Sequence, residues 1–430
     1  MKILHIVHCI DTEGPLKESV KNSFERIFDI FKIKLSPTKN NLKKIQNKDM
    51  NLGKYKDSIS EMLQPKLLNY NDSWKKLKTM LKIINSKKFR NYTVDDFNNG
   101  WKFSWHCVDH FLKYNPRKKT IGYGKIFNFY KKIINRNKVD EINWHFHPES
   151  INKNPLAAAT SYNNSMQNLL YCLSRRIIDN KWFPTVNRPG FHSIRTDSNA
   201  FLEQWIPYDY ANQKYEEKTI QKDLSYHRFG DWDRAPKTWR GYHPDFHDYQ
   251  KPGNCRRIIF RCLNLGTRFK NIKKRHIIEA FKEARKKNKV ILAFASHDFR
   301  DFTEDLTSIR NLLKKTRKKF PDVKIKFSTA SEAAKDLYAK NKKKLRLKLS
   351  IKNNRIMIKL TSGEIFGPQP FLAIKTKNNK FYHDNLDIIK PKRIWSYFLD
   401  KQTVEKKYVS KIGVGSASIN GDFAVIVKKL

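Results

Sequence analysis

Acidic side chains are scarce in this chain. Its 430 residues carry 41 Asp and Glu against 88 Lys and Arg, a formal net charge of +47. Such a field repels basic partners and attracts polyanions: nucleic acid, anionic lipid surfaces or acidic polysaccharide. Cysteine is also sparse: five residues, at 9, 107, 172, 255 and 262, with no CxxC spacing. An odd count without paired spacing excludes a disulfide framework and a structural zinc site, and points to reduced cytosolic thiols. No run approaches the roughly 20 apolar residues that span a bilayer. The opening apolar stretch is short, holds His5 and His8 and leads straight into Asp11, unlike a signal peptide. The expectation is a cytoplasmic protein, attached if at all to the inner membrane face by charge. Missing too are GxxxxGK[ST], a GxGxxG after a strand, and zinc-finger spacing, which removes the common nucleotide and finger readings. The basic residues are spread over the whole chain without an arginine–aromatic signature, which argues against nucleic acid.

Aromatic residues are plentiful: 28 Phe, 18 Tyr and 9 Trp. Disordered chains are poor in them, so this chain folds, with length for two or three domains. Residues 3–10 read as a buried strand, and 17–32 as a helix from the spacing of Val20, Phe24, Ile27, Phe28 and Phe31. A Lys- and Asn-rich insertion follows near 36–98, with a helical stretch near 74–84. Residues 101–112 contain a strand, 122–137 suit a helix, 140–146 a strand and 161–180 an amphipathic helix. A helix at 196–205 is expected to be capped by Thr196 or Asp197. Residues 213–257 are a long polar and aromatic insertion. Then come a helix at 272–288, the apolar strand VILAFAS at 290–296, a helix at 304–319, a strand at 322–328 and a helix at 331–340 capped near Ser328 or Thr329. Strands alternating with helices predict a parallel sheet with crossover helices. After 341 the pattern switches to period two, KLRLKLSIK and RIMIKL flanking Asn353-Asn354. This predicts a separate antiparallel β module over 341–430, with 20 Lys and Arg against 6 Asp and Glu, or +14.

The chemistry-bearing residues stand at the predicted strand ends. Alternate side chains of a strand share a face, so Asp11 and Glu13 point the same way, and so do His145 and His147. Each pair precedes a strand-ending signal, Gly14-Pro15 or Pro148. Oxygen and imidazole donors at strand ends suit a catalytic divalent metal. Arg188, Asp209 and His297 end three further strands. In a parallel α/β barrel, active-site groups sit at the C-terminal ends of strands.

The order of these stations resembles the polysaccharide deacetylase family of the glycoside hydrolase/deacetylase superfamily. The matching runs are Asp11-Thr12-Glu13-Gly14-Pro15, His145-Phe146-His147-Pro148, Arg188-Pro189-Gly190, Tyr208-Asp209-Tyr210 and Ser296-His297-Asp298. The resemblance covers about 1–340. It implies an α/β fold, a distorted (β/α) barrel with the β module appended, and metal-dependent removal of N-acetyl groups from a sugar chain in surface-polysaccharide or lipopolysaccharide biosynthesis. Two departures stand out: Thr12 separates the usually adjacent carboxylates, and the histidines are two apart rather than four. Aligned on Gly-Pro, Glu13 takes the metal-ligand position, with His145 and His147, and zinc is the expected ion. Asp11 is then the base, Arg188 keeps it ionised, His297 is the acid for the leaving amine, and Asp298 orients His297. A carbohydrate substrate is expected to meet Asp209, Trp232, Trp239 and Tyr242, because sugar rings stack on aromatic faces. The competing reading is a basic binding protein on a decayed barrel, docking on anionic membrane, glycan or nucleic acid. A third keeps the enzyme but moves the cleaved bond to a glycoside or a non-sugar amide.

Overall fold

The computed structural model describes residues 1–109, 124–149, 161–216, 230–267, 269–339 and 343–430. Eight strands form one parallel sheet: β1 Ile3–Thr12, β2 Ser104–Asp109, β3 Glu141–Phe146, β4 Val186–Asn187, β5 Tyr208–Asn212, β6 Ile258–Asn264, β7 Lys289–His297 and β8 Lys324–Phe327. The order is β2-β3-β4-β5-β6-β7-β1-β8, and β1 also pairs with β2. Seven strands therefore close into a barrel ringed by helices, as the alternating pattern predicts. The closure is asymmetric. One edge of β1 pairs with β8 along Ile3–Ile6 and with β2 along Cys9–Thr12. β1 is buried along its whole length, which is why it reads as an almost unbroken apolar run.

The barrel interior is layered. Val7 and Cys9 of β1 meet Val186, Tyr210, Phe260, Cys262, Ala293 and Ala295. The helix Ala330–Tyr338 closes the floor with Ala330, Ala333 and Ala334, and is capped by Thr329 as expected. The helix Thr196–Trp205 starts differently: its N-cap is Arg195. Asp197 instead accepts from Ser161 Oγ and the Tyr162 amide, tying two connections together.

The insertion near 36–98 folds as short helices. Phe24, Ile27 and Phe31 form a satellite core with Ile45, Ile59 and Met62. Its far end lies over the C-terminal mouth of the barrel. Asn71 accepts from the Leu16 amide, donates its own amide to Phe299 O, and donates from its side chain to Asp298 O.

The C-terminal module has two four-stranded antiparallel sheets. One comprises β9 Arg346–Lys352, β10 Arg355–Ser362, β13 Asp387–Lys390 and β14 Ile394–Phe398. The other comprises β11 Phe371–Thr376, β12 Phe381–Asp384, β15 Val409–Ala417 and β16 Phe423–Lys429. Leu347, Leu349, Ile356 and Ile358 face Leu372, Ile374, Ile412 and Val414 in a core between the sheets. The opposite face of the second sheet joins the barrel's own core through Phe371, Ala373 and Ala417. A Cβ on Gly413 or Gly415 would meet Ile177 or Phe183 at 2.6–2.7 Å, so these glycines let the sheet settle on the helix Met166–Asn180. The module thus has a core of its own and also shares one with the barrel. A fragment ending at residue 339 is expected to expose Ile177, Phe183 and Trp205 and to aggregate. A fragment that stays monomeric by light scattering and melts cooperatively would show this contact to be dispensable. Among the described residues no helix is long and apolar enough to cross a membrane, and all five cysteines are buried thiols.

Candidate metal centre

Strand periodicity carries the interior up into the site. Asp11 lies two residues beyond Cys9, Arg188 two beyond Val186, and His297 two beyond Ala295, so all three belong to the layer above the apolar interior. All are at C-terminal strand ends, where connecting loops can build a mouth.

Arg188 is fully buried, and its Nε donates to both oxygens of Asp11 at 2.7 and 2.9 Å. Its Nη1 donates to Tyr210 O at 2.8 Å. Burial alone would raise the Asp11 carboxyl, but Arg188 first, then His145 and His297, hold it well below the usual carboxylate range. The main chain of Arg188 does a second job: its carbonyl accepts from His145 Nδ1 at 2.6 Å. This fixes the tautomer of His145 with the proton on Nδ1 and turns Nε2 into the cluster as an acceptor, the usual support for a metal-ligating imidazole.

His145 Nε2 lies 2.8 Å from His147 Nε2. Two neutral imidazoles that close repel unless a proton or a cation lies between their lone pairs. His147 Nε2 is 3.8 Å from Glu13 Oε1. One donor atom from each of Glu13, His145 and His147 falls within 4.8 Å of the others, so the cluster could hold a metal ion. One carboxylate with two imidazoles suits zinc and similar late divalent ions better than calcium or magnesium, which favour oxygen.

The loops hold these donors in place. Asp298 accepts from the backbone amides of Glu13 at 2.7 Å and Gly14 at 3.0 Å, and from the Tyr130 hydroxyl at 2.8 Å. Its carboxylate therefore anchors the turn that aims Glu13, a role different from the expected orientation of His297. A Cβ on Gly190 would stand 2.6–2.7 Å from ring atoms of His147, so only glycine leaves room for that ring. Phe191 then packs edge-on to His147 at 5.1 Å between centroids.

His297 completes the group. Its Nε2 is 3.7 Å from Asp11 Oδ2, and its side chain is 20% exposed. Burial pushes its pKa down to about 3 against the opposing pull of Asp11, so the ring is neutral at rest.

Two further histidines share this neighbourhood. His106 pairs in register with Asp11 and is fully buried, and burial pushes it down to about 3. His192 is buried, and burial together with Arg188 lowers its pKa. Both Phe191 and His192 have φ of 53°, a left-handed pair that costs energy for non-glycine residues. The pair is clasped by Gly230 N–H to Phe191 O at 3.0 Å and Trp232 Nε1–H to His192 O at 2.9 Å. His106 is not among the expected site residues; the signal that could have found it is its place two residues after Ser104 and two before Val108 in the strand expected within 101–112. Nothing in the sequence marked His192, because β4 is only two residues long and the loop after it has no period.

The expected substrate contacts lie elsewhere. Trp232 and Trp239 are each 1% exposed and Tyr242 is 7% exposed. Trp232 holds the His192 turn, Trp239 lies under the Arg261 guanidinium at 4.4 Å, and the Tyr242 hydroxyl donates to Tyr249 O at 2.6 Å. Rings buried this way have no face left for a sugar. Asp209 is also buried, accepting from Arg257 at 2.7 Å and Asn187 at 3.1 Å. Burial raises its carboxyl to about 6, against the pull of Arg257. It serves a buried charge pair below the mouth. Residues 217–229 of the aromatic insertion lie outside the described residues.

Fold and site together define a closed parallel α/β barrel with a candidate metal cluster at the C-terminal ends of its strands. No known protein family, curated protein or solved structure matches the chain.

Proposed function

We propose that this protein is a metal-dependent hydrolase that removes N-acetyl groups from a carbohydrate in surface-polysaccharide or lipopolysaccharide biosynthesis. The observation that carries the reading is one juxtaposition. A cluster of Glu13, His145 and His147 stands beside an ionised Asp11, with His297 on the other side of that carboxylate. The order of these residues along the chain, similar to that of polysaccharide deacetylases, supports an acetylated sugar as substrate.

Glu13, His145 and His147 would hold a divalent ion, with zinc the best match to the donors. When bound, such an ion acidifies a water and polarises a carbonyl. Asp11, held far below its ordinary pKa by Arg188, is a weak base placed to accept a proton from the attacking water. His297 is neutral at rest and close to Asp11. It takes the proton over and gives it to the departing amine, so the water's proton ends on nitrogen and its oxygen on the acetyl carbon. Arg188 holds Asp11 in place and, through its carbonyl, holds His145.

The test is metal content together with acetate release. One divalent ion per chain is expected by elemental analysis, with thermal stabilisation of about 2.7 kcal/mol at 100 times the dissociation constant. Acetate should be released from N-acetylated oligosaccharides by the loaded protein and lost on chelation. A protein with no ion and no response to added zinc would overturn the metal reading. A loaded protein inert towards N-acetylated oligosaccharides but active on glycosides or other amides would move the bond.

A further inference from the structure

The outward face of the sheet formed by β9, β10, β14 and β13 has no use in that chemistry. It is the layer farthest from the barrel, since its other face packs on the second sheet. Cross-strand register places Lys348 opposite Lys359 and Lys352 opposite Arg355. Like charges directly opposite each other weaken a sheet. Arg346 stands on the same face, and Lys390 continues the Lys359 row across Ile394. Among the described residues none of these six cations makes an ion pair, and Asp387 at the far edge is the one carboxylate in these rows.

The same rows hold apolar side chains. Phe398 lies opposite Arg355 and is 44% exposed, and Met357 and Ile394 lie between the cations. The adjoining β13–β14 hairpin adds exposed Lys390, Lys392 and Arg393 at the sheet's edge. Cations alone would suit any polyanion. Phe398, Met357 and Ile394 among them gain nothing from a hydrated acidic glycan, but they partition into the headgroup boundary of a bilayer.

We propose that this sheet face docks the protein on an anionic lipid surface. The lysines and arginines meet the headgroup charge while Phe398, Met357 and Ile394 enter the interface. The repulsive pairs Lys348–Lys359 and Lys352–Arg355 are relieved when lipid phosphates lie over them. The face points away from the barrel, so the mouth stays open while the protein is bound. The inference is independent of the proposed reaction.

Co-sedimentation of the full chain with phosphatidylcholine vesicles, with and without phosphatidylglycerol, tests it. Binding is expected only with phosphatidylglycerol present, and should fall as salt rises, because exposed charges are screened beyond about 8 Å at physiological ionic strength. Each surface cation contributes about fivefold to partition, so the double variant Lys348→Glu, Lys352→Glu should bind at least about twentyfold more weakly. Each new carboxylate then faces a cation, so the melting temperature should hold or rise. Lost docking is thereby separated from lost folding. A control with the same net charge, Lys78→Glu, Lys82→Glu on the exposed side of the helix Trp74–Ile84, should bind nearly as the parent does. Equal loss in both double variants would overturn the assignment to this face. Binding to soluble polygalacturonate but not to vesicles would replace lipid with acidic glycan.

Discussion

Asp11→Asn is expected to lower acetate release by about 10²–10⁴-fold, the usual contribution of a general base, while leaving divalent-metal content near that of the parent. The substitution keeps size and shape and removes only the ability to take a proton. Asp11 Oδ1 is 3.9 Å from His145 Nδ1, on the side of the imidazole turned away from the metal cluster. Glu13→Gln and His145→Ala should behave differently and lose metal and turnover together. His297→Ala should keep metal and lose turnover. Elemental analysis and acetate release on the same preparations decide it. Loss of metal from Asp11→Asn with retention by Glu13→Gln would exchange the two carboxylates' roles.

Arg188→Met is expected to destabilise the fold by about 3–5 kcal/mol, the typical loss on breaking a buried ion pair from one side. Asp11 is 2% exposed and would remain as an unpaired buried charge. The Tyr210 carbonyl would lose its donor as well. The pH dependence gives the sign. In the parent the Asp11 carboxyl is depressed, so its contribution is present above the unfolded value near 4 and is lost as pH falls through the folded one. In the variant burial acts without the guanidinium and raises that carboxyl, so protonation becomes favourable in the folded state. The gap between parent and variant should be widest near neutral pH and narrow below about pH 4. Denaturant titrations in chelator measure this directly. Adding Asp11→Asn to Arg188→Met should recover part of the loss, because the orphaned charge is then gone. A pH-independent gap would mean that the guanidinium matters through packing alone.

Much of this architecture is written in local pattern. The run Ile3–Thr12 is legible because a parallel strand buried on both faces needs an unbroken apolar run. Val290–Ser296 is legible for the same reason, and the switch to period two after 341 marks the sandwich. The five stations are legible because strand ends place them, and period two then fixes which side chains turn inward. The aromatic insertion misleads for a physical reason. Composition reports that Trp232, Trp239 and Tyr242 have apolar faces, but not which surface they cover. Here they cover the barrel wall and a strained turn. Asp209 misleads in the same way, since its partner Arg257 lies 48 residues away along the chain. Asp298 is adjacent to His297 in sequence, yet its contacts with the Glu13–Gly14 turn come from another strand's end.

The split edge of β1 gives the barrel a seam. Only Cys9–Thr12 join β1 to β2, because β8 occupies the lower half of that edge. The zipper is thus four residues long and ends one residue short of Glu13. On its other side β2 runs beside β3, whose end bears His145. An ion gripped by Glu13 and the two histidines would rivet the strands flanking β2 across this four-residue zipper. Loading the site and locking the barrel shut would then be one event, and amide exchange along Ser104–Cys107 would register both.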